Sequence, residues 1–289
     1  MKPNHRRANP KCWKIIWRRR DELMKFDRPS TSESDDPIRK ANLAFYEKAK
    51  LAFRKLFDAA KAKNELHFAF SLAAEFRGLQ DAGWDTAIEA QIAFQQYLEF
   101  IQANPDDAFK ARVALAFYSH IAEASGFYEV PKNMLRVADG ERYNVWPFQK
   151  LVEKHKLTGV LIAPNANKIL RDLAGHSQEL GFAELAEVFK VAFDGDIRNG
   201  YAHADYVVWD DGIRLPKRNG GQPRKIAWPE FNGFLERGIN FLNLLNETIA
   251  DYRASYNPAK QIRGQLRDEP EAVWTIYADL ERKRFSISG

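Results

Sequence analysis

The chain has 289 residues and a formal net charge of +5, and this length is enough to bury a sizeable core in one large domain or two small ones. The single cysteine, Cys12, excludes an intramolecular disulfide and a zinc site built from several thiolates, and the six histidines include no pair at metal-ligand spacing. No apolar stretch approaches the length of a membrane span, so we expect a cytoplasmic protein that needs no metal, cofactor or membrane.

The positive charge is concentrated at the amino terminus. Residues 1–20 hold eight Lys or Arg and no acid, whereas residues 21–36 hold six acids and two bases, so the rest of the chain is close to neutral. We interpret residues 1–36 as a basic arm followed by a flexible polar linker. The arm suits a phosphate backbone or another anionic surface, and a tail without a binding role is the alternative.

Helix-period patterning predicts a mainly α fold from residue 37 onward. Asp36 suits an N-cap and Pro37 the first helical position. The predicted helices of this segment begin near Asp36, Asn64, Asp85 and Asn104. Gly126 is the predicted end of the fourth helix.

The segment from 127 to 160 is predicted to be less regular, because Pro131 and other Gly and Pro residues interrupt it. One short helix is predicted over 148–157. Pro164 then opens a helix that leads into an apolar-striped segment over 182–193.

Two further elements are predicted at the carboxyl-terminal side. Alternating residues around Asp210-Asp211-Gly212 predict a small β-hairpin, and Pro229 opens a last long helix. The tail over 261–289 is predicted to form two short strands or an interaction arm, between which the pattern does not decide.

The stretch over 194–206 has the most distinctive combination of polar residues. Asp196 is a predicted N-cap for a short helix over 197–203. On such a helix Asn199 and His203 share a face. On this helix the directions of Arg198 and His203 differ by about 140° around the axis, and the two residues are about 7.5 Å apart along it. They are therefore not direct partners, but both would reach one phosphate.

This stretch resembles the signature of the prokaryotic HEPN superfamily, in which an Arg with a polar neighbour precedes a His by a few residues. The resemblance rests on Arg198, Asn199, His203, Asp205 and Tyr206 and on the Asp-Asp-Gly turn that follows. It implies a HEPN-like helical bundle and a metal-independent ribonuclease. Arg198 and Asn199 would contact phosphate and His203 would transfer a proton, in a cleft between two subunits.

Further site candidates come from neighbouring segments. His120 and Glu123 lie on one edge of the fourth helix, and with Asp205 and Tyr206 they are accessory candidates. Tyr206 is three residues after His203, whereas HEPN toxins silenced by a nucleotidyltransferase carry the modified Tyr two residues after it, which puts that control in doubt. The predicted RNA-contacting residues of the acid-free loop over 216–225 are Lys217, Arg218, Arg224 and Lys225.

The motif also has a purely structural interpretation. Arg198 would pair with a carboxylate, Asn199 would cap a turn, and His203 would occupy a helix C-terminus, where a cation is favoured. The accessory pair, His120 and Glu123, would then only orient a helix end, and the basic loop would only be solvated.

The predicted organisation has four parts: a basic arm and linker (1–36), accessory N-terminal helices (37–126), a HEPN-like region with the motif (127–260) and a tail (261–289). The predicted function is an endoribonuclease of a toxin or phage-defence system. Its predicted partners are RNA, a second copy of the chain in a homodimer, and an antitoxin or regulatory protein. The alternative is a non-catalytic helical scaffold or a module that binds RNA or a nucleotide.

Overall fold

The computed structural model describes residues 36–73, 86–103, 107–217, 220–282 and 284–289. Its helices are α1 (Pro37–Lys63), α2 (Glu65–Leu72), α3 (Thr86–Ala103), α4 (Asp107–Glu123), α5 (Gly126–Ala138), α6 (Ala166–Glu179), α7 (Ala183–Val191), α8 (Gly195–Ala202) and α9 (Trp228–Ala254). Its strands are β1 (Glu153–Lys154), β2 (Leu161–Ile162), β3 (Val207–Trp209), β4 (Gly212–Leu215), β5 (Arg224–Ala227), β6 (Lys260–Gly264), β7 (Ala272–Asp279) and β8 (Arg284–Ser288). The predicted mainly α fold class is confirmed.

Some predictions fall outside these described ranges. They are the basic arm and linker up to residue 35, the helix starts near Asp85 and Asn104, and Arg218 in the loop after the motif.

The first two helices begin where their capping residues predict. The Asp36 side chain accepts a hydrogen bond of 3.0 Å from the Ile38 backbone, and Pro37 occupies the first helical position. The Asn64 side chain accepts one of 3.0 Å from the His67 backbone and caps α2. Each cap satisfies a backbone donor that the helix itself leaves without a partner.

The predicted boundary at Gly126 is wrong, and so is the less regular character predicted for the first part of 127–160. Residues 127–138 are helical, whereas 139–160 form only turns and very short elements, as predicted. α4 ends at Glu123, and Gly126 is the first residue of α5, which continues through Pro131 to Ala138. Proline normally disrupts a helix interior because it lacks a donor and crowds the preceding turn. Burial of Tyr128, Val130 and the residues around them overrides this local preference.

The helix predicted over 148–157 is also wrong. A 3₁₀ turn (Gln149–Leu151) leads into β1, which pairs antiparallel with β2. The following helix, α6, begins two residues after Pro164, because Asn165 caps it by accepting from the Lys168 backbone at 3.0 Å.

The main hydrophobic core surrounds α1. This helix packs against α5, α7 and α9, and Phe53 lies fully buried at the centre of the contact. Its ring centroid is 5.9 Å from that of Phe189 on α7 and 5.8 Å from that of Phe241 on α9. Although α1 and α9 have 27 residues each, none of the described helices is both long and apolar enough to span a membrane.

A second, smaller core lies beneath α8. It consists of Ala114, Leu115, Tyr118, Ile197, Ile213, Leu215, Ile226 and Phe231. These residues come from α4, α8, the β4–β5 pair and the start of α9. The motif helix is therefore fixed by elements that precede it and elements that follow it in the chain.

The predicted hairpin after the motif is present and has a third strand. β3 pairs with β4 as expected, with Trp209 opposite Gly212. β5 adds to the other edge of β4, so the last residues of the predicted loop over 216–225 form a strand. A Cβ at Gly212 would lie 2.1 Å from the Ile226 carbonyl oxygen, so only glycine permits this close approach of β5.

The carboxyl-terminal residues form an antiparallel sheet in the order β6-β7-β8. Of the two predicted alternatives, two short strands or an interaction arm, the strands are present as β7 and β8. β6 was missed, because Lys260–Gly264 is largely exposed and shows little apolar alternation. Ile276 and Ala278 of β7 are buried in the main core.

Candidate functional site

The amino-terminal end of α8 is capped by Asp194, so the predicted cap at Asp196 is wrong. The Asp194 carboxylate accepts hydrogen bonds from the backbones of Asp196, at 2.9 Å, and Ile197, at 3.1 Å. Asp194 has the extended backbone that an N-cap requires, whereas Asp196 already lies in the first turn. The Asp194 backbone N–H also donates to the Tyr118 hydroxyl at 2.6 Å, which fixes the start of α8 to α4.

The carboxyl-terminal end of α8 is a Schellman turn that places His203 at the C-cap. The Ala204 backbone donates to the Tyr201 carbonyl at 3.0 Å, and the Asp205 backbone donates to the Gly200 carbonyl at 2.8 Å. Ala204 has a φ of 50°, a conformation that glycine adopts more easily. The turn therefore holds His203 at the cost of a strained residue beside it.

The side chain of Arg198 is buried on the protein-facing side of α8. Its side chain is 6% exposed, its Nη1 donates to the Glu123 carboxylate, and its Nη2 donates to Asn199 Oδ1 at 2.6 Å. Its Nε is buried and has no hydrogen-bond partner among the described residues. In this conformation the guanidinium faces the protein, and its pairing with a carboxylate agrees with the structural interpretation of the motif.

Glu123 connects three helices. It is the last residue of α4, one of its carboxylate oxygens binds Arg198 on α8, and the other accepts from the Ala166 backbone at 3.1 Å. Ala166 is the first residue of α6, where the helix dipole favours a negative charge. The accessory candidate Glu123 therefore contacts the motif directly, through a pair that spans 75 residues of sequence.

The second accessory candidate on α4, His120, belongs to an aromatic contact. Its ring centroid is 5.7 Å from that of Tyr97 on α3, and its Nε2 is buried with no hydrogen-bond partner in the described part of the chain. The structure thus places His120 and Glu123 in different surroundings although they are one turn apart.

Asn199 and His203 lie together on the exposed face of α8, as their spacing predicts. Both residues are exposed, and the His203 backbone donates to the Asn199 carbonyl at 3.0 Å. Since Asn199 Oδ1 accepts from Arg198, the amide nitrogen of Asn199 is directed away from the guanidinium. This face therefore offers amide donors and an imidazole to a ligand.

The remaining motif residues, Asp205 and Tyr206, follow the Schellman turn. Asp205 is buried, with 9% of its surface exposed. The ring of Tyr206 stacks on that of Tyr201, with centroids 5.9 Å apart and an angle of 27° between the planes. These two residues pack the turn against the protein beside the exposed face.

An ion-pair network surrounds the amino-terminal end of α8. Arg224 on β5 donates to Asp194 at 2.6 Å and to Glu230 on α9 at 3.1 Å. Lys217 lies 2.9 Å from the Asp196 carboxylate. The hydrogen bond from Lys217, with a smaller contribution from Arg224, lowers the pKa of Asp196 below its ordinary value.

The described basic residues of the predicted RNA-contacting loop are therefore paired with carboxylates. Lys217 and Arg224 belong to the network around α8, and Lys225 lies 2.7 Å from Asp211 in the β3–β4 turn. These pairs balance the local positive charge and anchor the segment to α8 and the hairpin.

Sequence reasoning missed Tyr118 and Glu230, and it placed the cap two residues late. The Asp194-Gly195-Asp196 triplet offers two equivalent capping residues, so a local pattern does not choose between them. Tyr118 and Glu230 reach the site from α4 and α9 and have no signal near the motif.

Comparison of the chain with protein-family models, with curated proteins and with solved structures gave no match. The HEPN resemblance therefore rests on the residues of the motif alone. Within the described ranges, no group of three or more His, Cys, Asp and Glu side chains is arranged to hold a metal ion.

Proposed function

We propose that this protein is a metal-independent endoribonuclease of HEPN type that acts on RNA at the exposed face of α8. The observation that carries the proposal is that Asn199 and His203 are exposed on the same face, above a buried Arg198. As the resemblance implies, the proposed biological role is that of a toxin or phage-defence effector, controlled by an antitoxin or another regulatory protein.

In the proposed reaction, a ribose 2′-oxygen attacks the adjacent phosphorus. The new P–O bond forms while the bond to the 5′-oxygen breaks. A base takes the proton of the 2′-hydroxyl, and an acid gives a proton to the leaving 5′-oxygen. His203 performs one of these transfers. The products are a 2′,3′-cyclic phosphate and a 5′-hydroxyl.

The contacts of Arg198 assign it a positioning role within this proposal. Both of its terminal nitrogens are engaged, by Glu123 and by Asn199. It therefore orients the Asn199 amide, whose nitrogen then donates to a phosphate oxygen at the exposed face. A fixed donor of this kind contributes about 3 kcal/mol to transition-state stabilisation in comparable sites.

The proposed active form is a homodimer. One chain presents a single exposed imidazole at α8, whereas the reaction requires both a base and an acid. A two-fold axis near α8 would bring the partner's His203 to the same phosphate, and isologous pairing is the commonest symmetry of soluble oligomers. Sedimentation that shows a monomer at concentrations where the protein is fully active would contradict this part of the proposal.

One observation favours a second candidate function, a non-catalytic helical scaffold or a module that binds RNA or a nucleotide. Arg198 is paired with Glu123 within one chain, which accounts for the arginine without any phosphate. In this case Asn199 and His203 would be surface residues without a role in chemistry.

One experiment separates the two candidates. Purified protein is incubated with a mixed RNA pool in EDTA, beside His203→Ala and a matched control, His155→Ala, which removes an exposed histidine of the β1–β2 hairpin. The ribonuclease proposal expects cleavage that persists in EDTA, falls at least about a hundredfold in His203→Ala and is unchanged in the control. Full activity of His203→Ala, or cleavage that depends on magnesium, would contradict it.

A further inference from the structure

A cavity that shares no residue with the α8 site lies on the side of the molecule formed by α2 and β6. Its volume is about 490 Å³, within the usual range of about 300–1,000 Å³ for small-molecule sites. Residues that line it include Asn64, His67, Gly140, Arg142, Arg263 and Glu271. The first turn of α2 forms one wall, and a helix N-terminus favours an anion.

His67 is a buried residue that lines this cavity. It is 3% exposed, and its Nδ1 accepts from the Tyr143 backbone N–H at 3.3 Å. Burial, with a smaller contribution from Arg142, lowers its pKa, which favours the neutral ring. Because Nδ1 is an acceptor, the ring proton lies on Nε2, and no described residue accepts a hydrogen bond from Nε2.

Among the described residues, the guanidinium groups of two arginines at the cavity form exposed ion pairs and no other polar contact. Arg142, 48% exposed, lies 2.9 Å from Asp268, and Arg263, 76% exposed, lies 3.5 Å from Glu271. Both acids belong to the connection between β6 and β7. Exposed pairs of this kind contribute little to stability, so a ligand oxyanion would displace the carboxylates readily.

Glu65, which also lines the cavity, already has partners among neighbouring groups. It lies 2.5 Å from Lys260 and 3.9 Å from Lys61, and it accepts from the Tyr256 hydroxyl at 3.2 Å. The two arginines are therefore the charged groups of the cavity whose carboxylate partners a ligand would replace.

We propose that this cavity binds a small phosphate-bearing ligand, with Arg142 and Arg263 on the phosphate oxygens and the His67 Nε2 proton donated from the wall. The guanidinium group matches phosphate geometry through paired N–H donors, and hydrogen bonds between ionised partners are the stronger ones. This inference is independent of the ribonuclease proposal.

Calorimetric titration of the full chain with sodium pyrophosphate at constant ionic strength tests the inference. We expect one saturable site whose dissociation constant rises at least about tenfold in Arg142→Ala and in Arg263→Ala. Arg282→Ala is the matched control, because Arg282 is 75% exposed, lies in the turn between β7 and β8 and pairs with Asp279 at 3.8 Å. Its affinity should equal that of the wild type.

Additional titrations identify the ligand chemistry. Inorganic phosphate and adenosine 5′-monophosphate distinguish a free phosphate from a nucleotide, and either one binding with the same dependence on Arg142 and Arg263 supports the inference. Citrate binding at least as tightly as every phosphate ligand would overturn it. Absence of saturable binding, or equal affinity in the three arginine variants, would also overturn it. The exposed arginines can be removed without unfolding, which equal melting temperatures would check.

This test is separate from the test of the ribonuclease proposal. His203→Ala should bind pyrophosphate as the wild type does, whether or not the wild type cleaves RNA. Loss of pyrophosphate binding in His203→Ala would place the anion at α8 and overturn the cavity assignment.

Discussion

The two faces of α8 carry polar residues of opposite character. On the inner face Arg198 is 6% exposed and is held by Glu123 and Asn199. On the outer face Asn199 and His203 are exposed, and His203 ends the helix beside a strained Ala204. A buried charge must be paired, which fixes it, whereas an exposed imidazole stays available to a ligand. We infer that the inner face positions the helix and the outer face reacts.

Removal of Glu123 should have the largest effect on stability, because it leaves Arg198 buried and unpaired. We expect Glu123→Ala to lower the free energy of unfolding by about 2 kcal/mol, less than the roughly 3–5 kcal/mol of a fully buried pair, since Glu123 is 43% exposed. Denaturant unfolding measures this change. Adding Arg198→Met should restore part of the loss, because the unpaired charge is then absent.

The matched control is Glu187→Ala on α7. Glu187 is 50% exposed and pairs with Lys190 at 2.6 Å, so its removal should change stability much less than removal of Glu123. Equal effects of the two substitutions would show that the Glu123–Arg198 pair contributes no more to stability than an ordinary surface ion pair.

A substitution at Ala204, in the turn after α8, should change the free energy of unfolding by a smaller amount and in the opposite direction. The φ of 50° at this residue suits glycine, so Ala204→Gly should raise the free energy of unfolding by about 0.5–1 kcal/mol. Ala202→Gly, within the last helical turn, should lower it by about the same amount. Thermal unfolding of both variants checks the pair, and destabilisation by Ala204→Gly would refute the strain at this turn.

The smallest effect concerns Lys217 at the amino-terminal end of α8. Because Lys217 and Arg224 lower the pKa of Asp196 in the folded state, the ionised carboxylate contributes stability at pH values above its ordinary pKa of about 3.8. This contribution is lost as the pH falls through the lowered value. Lys217→Ala should therefore cost a few tenths of a kcal/mol at pH 7. The difference from wild type should vanish in acid, and urea unfolding that shows it growing there would contradict the assignment.

The sequence predicts local features of the site well and its long-range contacts poorly. Helical spacing alone places Asn199 and His203 on one face, and the Asp-Asp-Gly turn alone indicates the hairpin. The Arg198–Glu123 pair depends on how α4 meets α8, across 75 residues, so no local pattern contains it. Pro131 lies inside α5 for a related reason, because burial against the core outweighs the local preference of proline.

The most direct test of the central claim is the chemistry of the RNA ends. RNA cleaved in EDTA by the wild-type protein should carry 2′,3′-cyclic phosphates and 5′-hydroxyls. These ends should be at least about a hundredfold fewer with His203→Ala and equally abundant with His155→Ala. Ends with a 3′-hydroxyl and a 5′-phosphate, formed only with magnesium and unaffected by His203→Ala, would contradict the assignment of the reaction to the outer face of α8.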